Sequence, residues 1–154
     1  MIKELIDSAL IVETLTGTTK ADILGEILQK AVASGLIQKK DLPVLKKQLI
    51  DREALGSTGI GNGVAVPHVK GKEVKKISLI LARSKDAIAF QAIDGRPVQT
   101  FFMILAPQDQ PEHHIKALRW VSSLARNADF RRFVLAAKGE TEIRELLLEM
   151  SEIR

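Results

Sequence analysis

A histidine stands directly behind a glycine-rich stretch in the segment STGIGNGVAVPHVK, residues 57–70. An imidazole has an ordinary pKa near ~6.5, so at neutral pH its uncharged form can act as a nucleophile or a base. Pro67 has a fixed φ and no amide hydrogen, and we expect it to end the preceding strand and hold the turn that presents His68. Because a nucleophile needs such a rigid mount, His68 is the candidate nucleophile.

The stretch ahead of this histidine is rich in hydrogen-bond donors. Glycine tolerates positive φ and lets backbone amides approach an anion closely, and neighbouring hydroxyl groups add further donors. A turn of this kind beside an imidazole suits a phosphoryl group. The candidate phosphate-binding residues are Ser57, Thr58, Gly59, Gly61 and Gly63.

The glycine spacing does not match the common nucleotide-binding devices. A dinucleotide fingerprint needs a strand before the glycines and a helix after them, whereas here a helix precedes and a strand follows. A phosphate loop needs Gly-Lys followed by Ser or Thr, which this segment lacks. From this pattern alone, a histidine at the end of a strand is more often a surface or hydrogen-bonded residue than a catalyst.

Helices and strands alternate around this segment. Two helices are predicted before it, with Thr19 and Asp41 at their starts and Gly35 and Gly56 at their ends. Strands are expected over 64–66, 77–83 and 98–105, with others possible in 10–17 and 84–97, and helices over 112–126, 128–139 and 141–150, the last capped by Thr141. This order predicts one α/β domain built on a central sheet.

The composition excludes several functional classes. The sequence has 45% hydrophobic and 27% charged residues, and its apolar runs are far shorter than the ~20 residues of a membrane helix. The absence of cysteine excludes disulfides, thiolate catalysis and cysteine-ligated metal sites. The N-terminus lacks the features of a signal peptide, so we expect a cytoplasmic protein without membrane insertion.

The segment DREALGSTGIGNGVAVPH, residues 51–68, resembles the active-site signature of a known family. This family comprises the enzyme IIA (EIIA type-2) domains, of the mannitol, fructose and nitrogen-regulatory class, in the bacterial phosphoenolpyruvate-dependent phosphotransferase system (PTS). Six positions separate Glu53 from Ile60-Gly61, and two more precede the run VAVPH. Val69 departs from the pattern, because members usually carry a small residue there, and we expect it to alter the rim of the pocket.

A second histidine fits the same family. The segment ILAPQDQPEHHIKAL is similar to the family's strand-loop-helix region, and the match selects His114 rather than His113. Helical geometry agrees, because Leu118 and Val121 share a face with His114 while His113 lies at the edge of that face. Arg52 stands where the family places an arginine near its active-site histidine, and a guanidinium suits phosphate or the carbonyls of the pocket.

The resemblance implies a phosphotransferase that carries a phosphoryl group on histidine. His68 would accept this group from the phosphohistidine of the carrier HPr, and His114, Arg52 and the amides of 57–63 would stabilise its charge. No cofactor is expected, because the donor is another histidine rather than a nucleotide. The implied fold is a single-domain sandwich over 1–154, with a mixed, mostly parallel sheet of about five strands, helices on both faces and the histidine at one edge.

The resemblance leaves the type of EIIA protein open. Two stretches, REALGSTGIGNGVAVPH and AIDGRPV, resemble nitrogen-type members more than the mannitol ones, which favours a regulatory protein acting on target proteins. The alternative is the IIA component of a fructose- or mannitol-type sugar permease, which would pass the group to a IIB domain.

A remote alternative is a non-catalytic binding module. The histidines lack metal-ligand spacing and the basic residues are dispersed over a chain of net charge +4, so we expect neither a metal site nor nucleic-acid binding. The basic strip KGKEVKK, residues 70–76, could serve docking of a partner or only solubility.

Overall fold

A computed structural model of the chain describes residues 1–151. Within them, helices flank a sheet of six strands. In chain order the elements are α1 Ile2–Asp7, β1 Leu10–Leu15, α2 Lys20–Ala33, a 3-10 turn at Lys39–Asp41, α3 Leu42–Leu55, β2 Gly59–Gly61, β3 Val64–Ala65, β4 His68–Gly71, β5 Ser78–Ile88, β6 Val98–Pro107, α4 Pro111–Ala125, α5 Ala128–Ala136 and α6 Glu140–Met150.

The sheet is organised around β6. Its strand order is β1-β5-β6-β3-β2, and β4 pairs with β6 farther along the side that β3 occupies. The pairings of β1 with β5, and of β3 and β4 with β6, are parallel, whereas β5–β6 and β2–β3 are antiparallel. The predicted fold class, a mixed and mostly parallel α/β sheet, is confirmed, with six strands instead of about five.

Two apolar layers cover the two faces of the sheet. Successive side chains of β6 alternate between them, because a strand has a period of two. Phe101 and Met103 pack with α2 and α3 on one face. Phe102 and Ile104 pack with α1, α4, α5 and α6 on the other face. The sheet is therefore covered on both sides, as the continuous apolar runs predicted.

Most predicted helix ends agree with the structure. Thr19 accepts a hydrogen bond from the amide of Asp22 at the start of α2, and Gly56 follows the end of α3. The predicted cap at Thr141 is wrong. The helix α6 begins before it, and the Glu13 carboxylate of β1 accepts the amide hydrogen of Glu140 at 2.8 Å. This capping group comes from a distant strand, so local sequence could not reveal it. The short helix α1 was also not predicted.

The strands around His68 differ from the prediction. The expected strand over 64–66 stops at Ala65, and the ladder with β6 resumes at His68 as a separate strand. Pro67 has no amide hydrogen to donate and interrupts the ladder, although its carbonyl accepts from the amide of Ile104 at 2.9 Å. His68 thus begins β4 rather than following the end of a strand. Region 10–17 contains β1, and region 84–97 holds only the end of β5.

Candidate active site

Strand β4 fixes the direction of the His68 side chain. His68 lies opposite Ile104 in the parallel pairing with β6, and Val69 lies opposite Leu105. Because side chains alternate along a strand, His68 and Lys70 face α4 while Val69 points to the layer of α2 and α3. Val69 is buried in that layer. The residue that departs from the family pattern therefore packs in the core layer on the opposite face of β4 from His68, and its effect on the rim of the pocket stays a prediction.

The imidazole of His68 is anchored through one nitrogen. Its Nδ1 lies 2.8 Å from the carbonyl oxygen of Val66. A carbonyl can only accept, so Nδ1 carries the hydrogen and Nε2 keeps its lone pair in the neutral ring. Burial lowers the pKa of His68 below its ordinary value, and the charges of Arg52 and Lys70 act in the same direction. The hydrogen bond to Val66 and the charge of Glu53 oppose this shift without reversing it.

His114 lies against His68 across the gap between α4 and β4. The two ring centroids are 5.3 Å apart and the rings meet edge to face, at 66°. Burial lowers the pKa of His114 to about 4, with smaller contributions from His68 and Lys70. Its buried Nε2 has no hydrogen-bond partner among residues 1–151. His113 is exposed and lies 3.3 Å from the Gln110 side-chain oxygen, so the histidine selected from the sequence is the one beside His68.

Arg52 lies in the last turn of α3, close enough for its charge to affect the pKa of His68. One guanidinium nitrogen, Nη1, donates to the carbonyl oxygen of Gly56 at 2.8 Å. This bond satisfies a free carbonyl near the helix C-terminus, where a positive charge is also favourable. The guanidinium has further N–H groups for an anion. His68 and His114 are therefore neighbours, and Arg52 lies near enough for its charge to lower the pKa of His68.

The predicted phosphate-binding loop uses its donors internally. The Ser57 hydroxyl donates to the carbonyl oxygen of Phe90 at 2.6 Å, and the amide of Gly59 donates to the Ser57 hydroxyl at 3.0 Å. Thr58 directs both its amide and its hydroxyl to the carboxylate of Glu53. Phosphate binding by these three residues would require these bonds to be exchanged, so that role remains a prediction.

Gly61 and Gly63 belong to the turn of the β2–β3 hairpin. Their φ values are +99° and +79°, and Asn62 between them has φ +58°. These are conformations that glycine adopts readily. The Gly63 carbonyl accepts from the amide of Thr100, whereas His68 pairs four residues farther along β6, a span of about 13 Å. The structure therefore does not bring the tip of this turn to His68.

A buried ion pair supports the loop from behind. Glu53 is only 8% exposed, and its carboxylate lies 2.9 Å from the ammonium group of Lys20. That ammonium also lies 4.4 Å from the centroid of the Phe90 ring. Sequence reasoning used Glu53 only as a landmark of the signature and missed Lys20. The signature includes Glu53, but no local sequence pattern indicates that Lys20, 33 positions earlier, is its partner.

Metal sites and membrane-spanning helices were also considered. Within residues 1–151, no group of three or more histidine, cysteine or acidic residues is arranged to hold a metal ion. No helix in this part of the chain has the length and apolar character needed to span a bilayer.

Residues 4–150 match the family model for "Phosphoenolpyruvate-dependent sugar phosphotransferase system, EIIA 2". The chain belongs to this EIIA 2 family. Proteins of the family are phosphotransferases that accept phosphoryl groups from HPr. The resemblance drawn from the signature around His68 is thereby confirmed.

Relatives of two kinds match this EIIA 2 chain. A nitrogen regulatory protein of Bradyrhizobium diazoefficiens is 33% identical over 146 residues, which cover 95% of this chain and 94% of that protein. A fructose-specific EIIA component of Haloferax volcanii is 32% identical over 134 residues, covering 87% of this chain and 86% of its own length. The fructose-specific EIIABC component of Bacillus subtilis is 30% identical, and the match spans only 23% of that longer protein.

Solved EIIA structures share the fold. The nitrogen regulatory protein IIA-Ntr of Neisseria meningitidis superposes with a TM-score of 0.79 at 27% identity, covering 95% of this chain and 98% of that one. The mannitol IIA protein of Escherichia coli superposes with a TM-score of 0.73 at 19% identity, covering 89% of this chain and 94% of that one. The nitrogen and fructose relatives match at similar identity, so the comparisons give the family and not the type.

Proposed function

We propose that this chain is a phosphocarrier that accepts a phosphoryl group from phospho-HPr on Nε2 of His68. The observation that carries the proposal is the bond from Nδ1 of His68 to the Val66 carbonyl, which leaves Nε2 as the nucleophilic nitrogen. The lowered pKa of His68 keeps its ring neutral at cytoplasmic pH, so the lone pair is available for attack.

In the proposed step, Nε2 of His68 attacks phosphorus in line with the phosphohistidine of HPr. The new Nε2–P bond forms as the P–N bond of the donor breaks, and the electron pair of that bond returns to the donor imidazole. The hydrogen on Nδ1 stays in place, and the Val66 carbonyl stabilises the positive charge that the His68 ring acquires. The step needs no cofactor, because the donor is itself a histidine.

Three groups are proposed to stabilise the transferred phosphoryl oxygens. His114 can donate from Nε2, which has no other partner in the described chain, and donation would satisfy a buried polar atom. Arg52 and Lys70 add positive charge near His68. Donors held in place before the reaction lower the barrier without reorganisation.

Within this chemistry, we favour a nitrogen-type regulatory role with protein targets. The nitrogen regulatory relative is matched over 94% of its length, and the stretches around His68 and Asp94 resemble nitrogen-type members more than mannitol-type ones. The second candidate is a fructose-type permease component that hands the group to a IIB domain, which the fructose-specific relatives support. An Escherichia coli mannitol IIA protein has been solved in complex with phosphorylated IIB.

The test is intact-mass analysis after incubation with phosphoenolpyruvate, enzyme I and HPr. Wild type is expected to gain one acid-labile phosphate and His68→Ala none. Heteronuclear NMR should then place phosphorus on Nε2 of His68. No phosphate on wild type, with a control EIIA phosphorylated by the same donors, would overturn the proposal.

The same phosphorylated protein separates the two types. A regulatory protein is expected to keep its phosphoryl group when a fructose-type IIB domain is added. Rapid loss of the group to that IIB domain, with the phosphate recovered on IIB, would favour the permease component.

A further inference from the structure

A continuous chain of polar contacts joins Lys20 to the imidazole of His68. The Lys20 ammonium lies 2.9 Å from Glu53, whose carboxylate accepts from the amide of Thr58 at 3.1 Å and also from its hydroxyl. The Thr58 carbonyl accepts from the amide of Val66 at 2.9 Å. The Val66 carbonyl in turn binds Nδ1 of His68 at 2.8 Å. Each of these links is a hydrogen bond or an ion pair, and the backbones of Thr58 and Val66 connect one link to the next.

The charge at the far end of this chain is well shielded from water. Glu53 is 8% exposed, and the side chain of Lys20 is 21% exposed. Phe90 covers the ammonium at 4.4 Å, in the geometry of a cation–π contact. A buried carboxylate without a counter-ion is costly and tends to turn toward water or take up a proton. Lys20 therefore supplies a positive charge that balances the buried Glu53 carboxylate, which Thr58 also holds through two hydrogen bonds.

Glu53 controls two bonds of a single loop residue. Thr58 is buried, and both its amide and its hydroxyl end on the Glu53 carboxylate. Its carbonyl fixes Val66, the residue that anchors the His68 ring. A rotation of the Glu53 carboxylate would release Thr58 and loosen the segment before Pro67. The neighbouring Arg52 is already bonded to the Gly56 carbonyl.

We propose that Lys20 is a positioning residue for phosphoryl transfer, acting on the orientation of His68 through Glu53, Thr58 and Val66. The inference rests on the proposed function, because the reaction it affects is phosphorylation of His68. Lys20 acts behind the loop, so its loss should lower the maximal rate rather than the affinity for phospho-HPr. In an in-line transfer, a small displacement of the nucleophile is enough to slow the step strongly.

The experiment compares Lys20→Met, Lys20→Arg and the control Lys47→Met. Lys47 also pairs with a carboxylate, that of Asp51 at 2.7 Å, but both side chains are exposed, at 75% and 61%. Phosphorylation rates are measured against phospho-HPr concentration. Lys20→Met should lower kcat about tenfold or more with KM unchanged, Lys20→Arg should restore most of the rate, and Lys47→Met should behave as wild type.

Two further measurements separate positioning from general loss of structure. In NMR spectra, Lys20→Met should shift the Thr58 amide and the His68 ring signals, and Lys47→Met should shift neither. If Lys20 and Glu53 act as one unit, Lys20→Met should lower the phosphorylation rate little further in a Glu53→Gln background, because the carboxylate that Lys20 neutralises is already gone. This second background also keeps the test open if Lys20→Met alone folds poorly.

Several outcomes would overturn the inference. The first is an unchanged kcat for Lys20→Met, and the second is a phosphorylation rate for Lys20→Arg as low as that of Lys20→Met. The third is a double variant of Lys20→Met and Glu53→Gln whose loss of rate equals the product of the two single losses. Failure of the proposed function is distinguishable, since wild type would then gain no phosphate at His68. In that case the NMR comparison still decides whether Lys20 orients the His68 ring.

Discussion

His68 and His114 lie edge to face with their ring centroids 5.3 Å apart, one carried by the first residue of β4 and the other by the first turn of α4. The two rings are held differently. Nδ1 of His68 is bonded to a carbonyl, whereas Nε2 of His114 is buried and has no partner among residues 1–151. In the proposed reaction, a phosphoryl group on His68 would supply the acceptor that His114 lacks, with His68 as the nucleophile and His114 as the donor.

His114→Gln is expected to slow phosphorylation by phospho-HPr roughly 10²-fold, the usual cost of losing one donor to a developing anion. The matched control is His113→Gln, which changes the neighbouring exposed histidine and should leave the rate within about twofold. Initial rates with both variants check this. Equal rates for the two variants would remove His114 from the mechanism.

The pH dependence of stability should also show the effect of burying the His114 ring. Burial lowers the pKa of His114 to about 4, against ~6.5 in the unfolded chain. Between these values the unfolded state binds more protons, so the free energy of unfolding falls as the pH is lowered from 6.5 toward 4. The stability gained from the neutral ring is thus fully present above pH 6.5 and lost in acid.

Thermal unfolding between pH 7.5 and 4.5 measures this effect. The melting temperature of wild type should fall more steeply on acidification than that of His114→Gln, which has no imidazole to protonate at this position. A His114→Gln curve parallel to wild type would show that His114 is not held neutral by the fold.

Much of this site was predictable because its residues lie in strong local patterns. The helical period of α4 placed His114 on the buried face and His113 at its edge, and the structure agrees. Thr19 and Gly56 marked helix ends through local capping geometry. His68 stood out because a glycine turn and a proline bracket the strand before it.

The parts that could not be predicted depend on contacts between distant segments. Strands of two to four residues, such as β3 and β4, are too short for a period to show. The capping of α6 by Glu13 and the pairing of Lys20 with Glu53 join positions far apart in sequence. Gly61 and Gly63 were predicted to bind the phosphoryl group because a glycine-rich turn exposes backbone amides, but the register of β6 separates them from His68.

Arg52 is expected to act on His68 through both its charge and its shape. Its charge contributes to the lowered pKa of His68, so Arg52→Gln should raise that pKa, while burial keeps it below the ordinary value. Arg52→Lys retains the charge and should leave the pKa of His68 nearly as in wild type, but it loses the planar fork. NMR titration of the His68 ring gives the pKa in each variant.

The rates should separate the two effects of Arg52. Arg52→Lys is expected to slow phosphorylation roughly tenfold to hundredfold, since a charged hydrogen bond is worth about 1.5–3 kcal/mol. Recovery of the full rate in Arg52→Lys would mean that only the charge matters. A pKa of His68 that is the same in Arg52→Gln and wild type would contradict the electrostatic contribution.

The basic strip of residues 70–76 lies next to the candidate site and should assist docking of the phosphoryl donor. Lys70 is near enough to lower the pKa of both histidines, and Lys72 and Lys75 are exposed in the connection from β4 to β5. Reversing both charges, Lys72→Glu with Lys75→Glu, should slow phosphorylation roughly tenfold at low salt, because clustered charge steers encounter. The effect should shrink at 1 M salt, where screening acts within about 3 Å.

The control for this strip is a second pair of charge reversals, which changes the net charge by the same amount away from the candidate site. Lys85 lies seven residues along β5 from Ser78, about 23 Å from the end of the sheet near β4, and Lys138 precedes α6. Lys85→Glu with Lys138→Glu should leave the rate close to wild type at every salt concentration. If both pairs slow the reaction equally, overall charge rather than the strip governs encounter. If neither does, the lysines of the strip serve solubility alone.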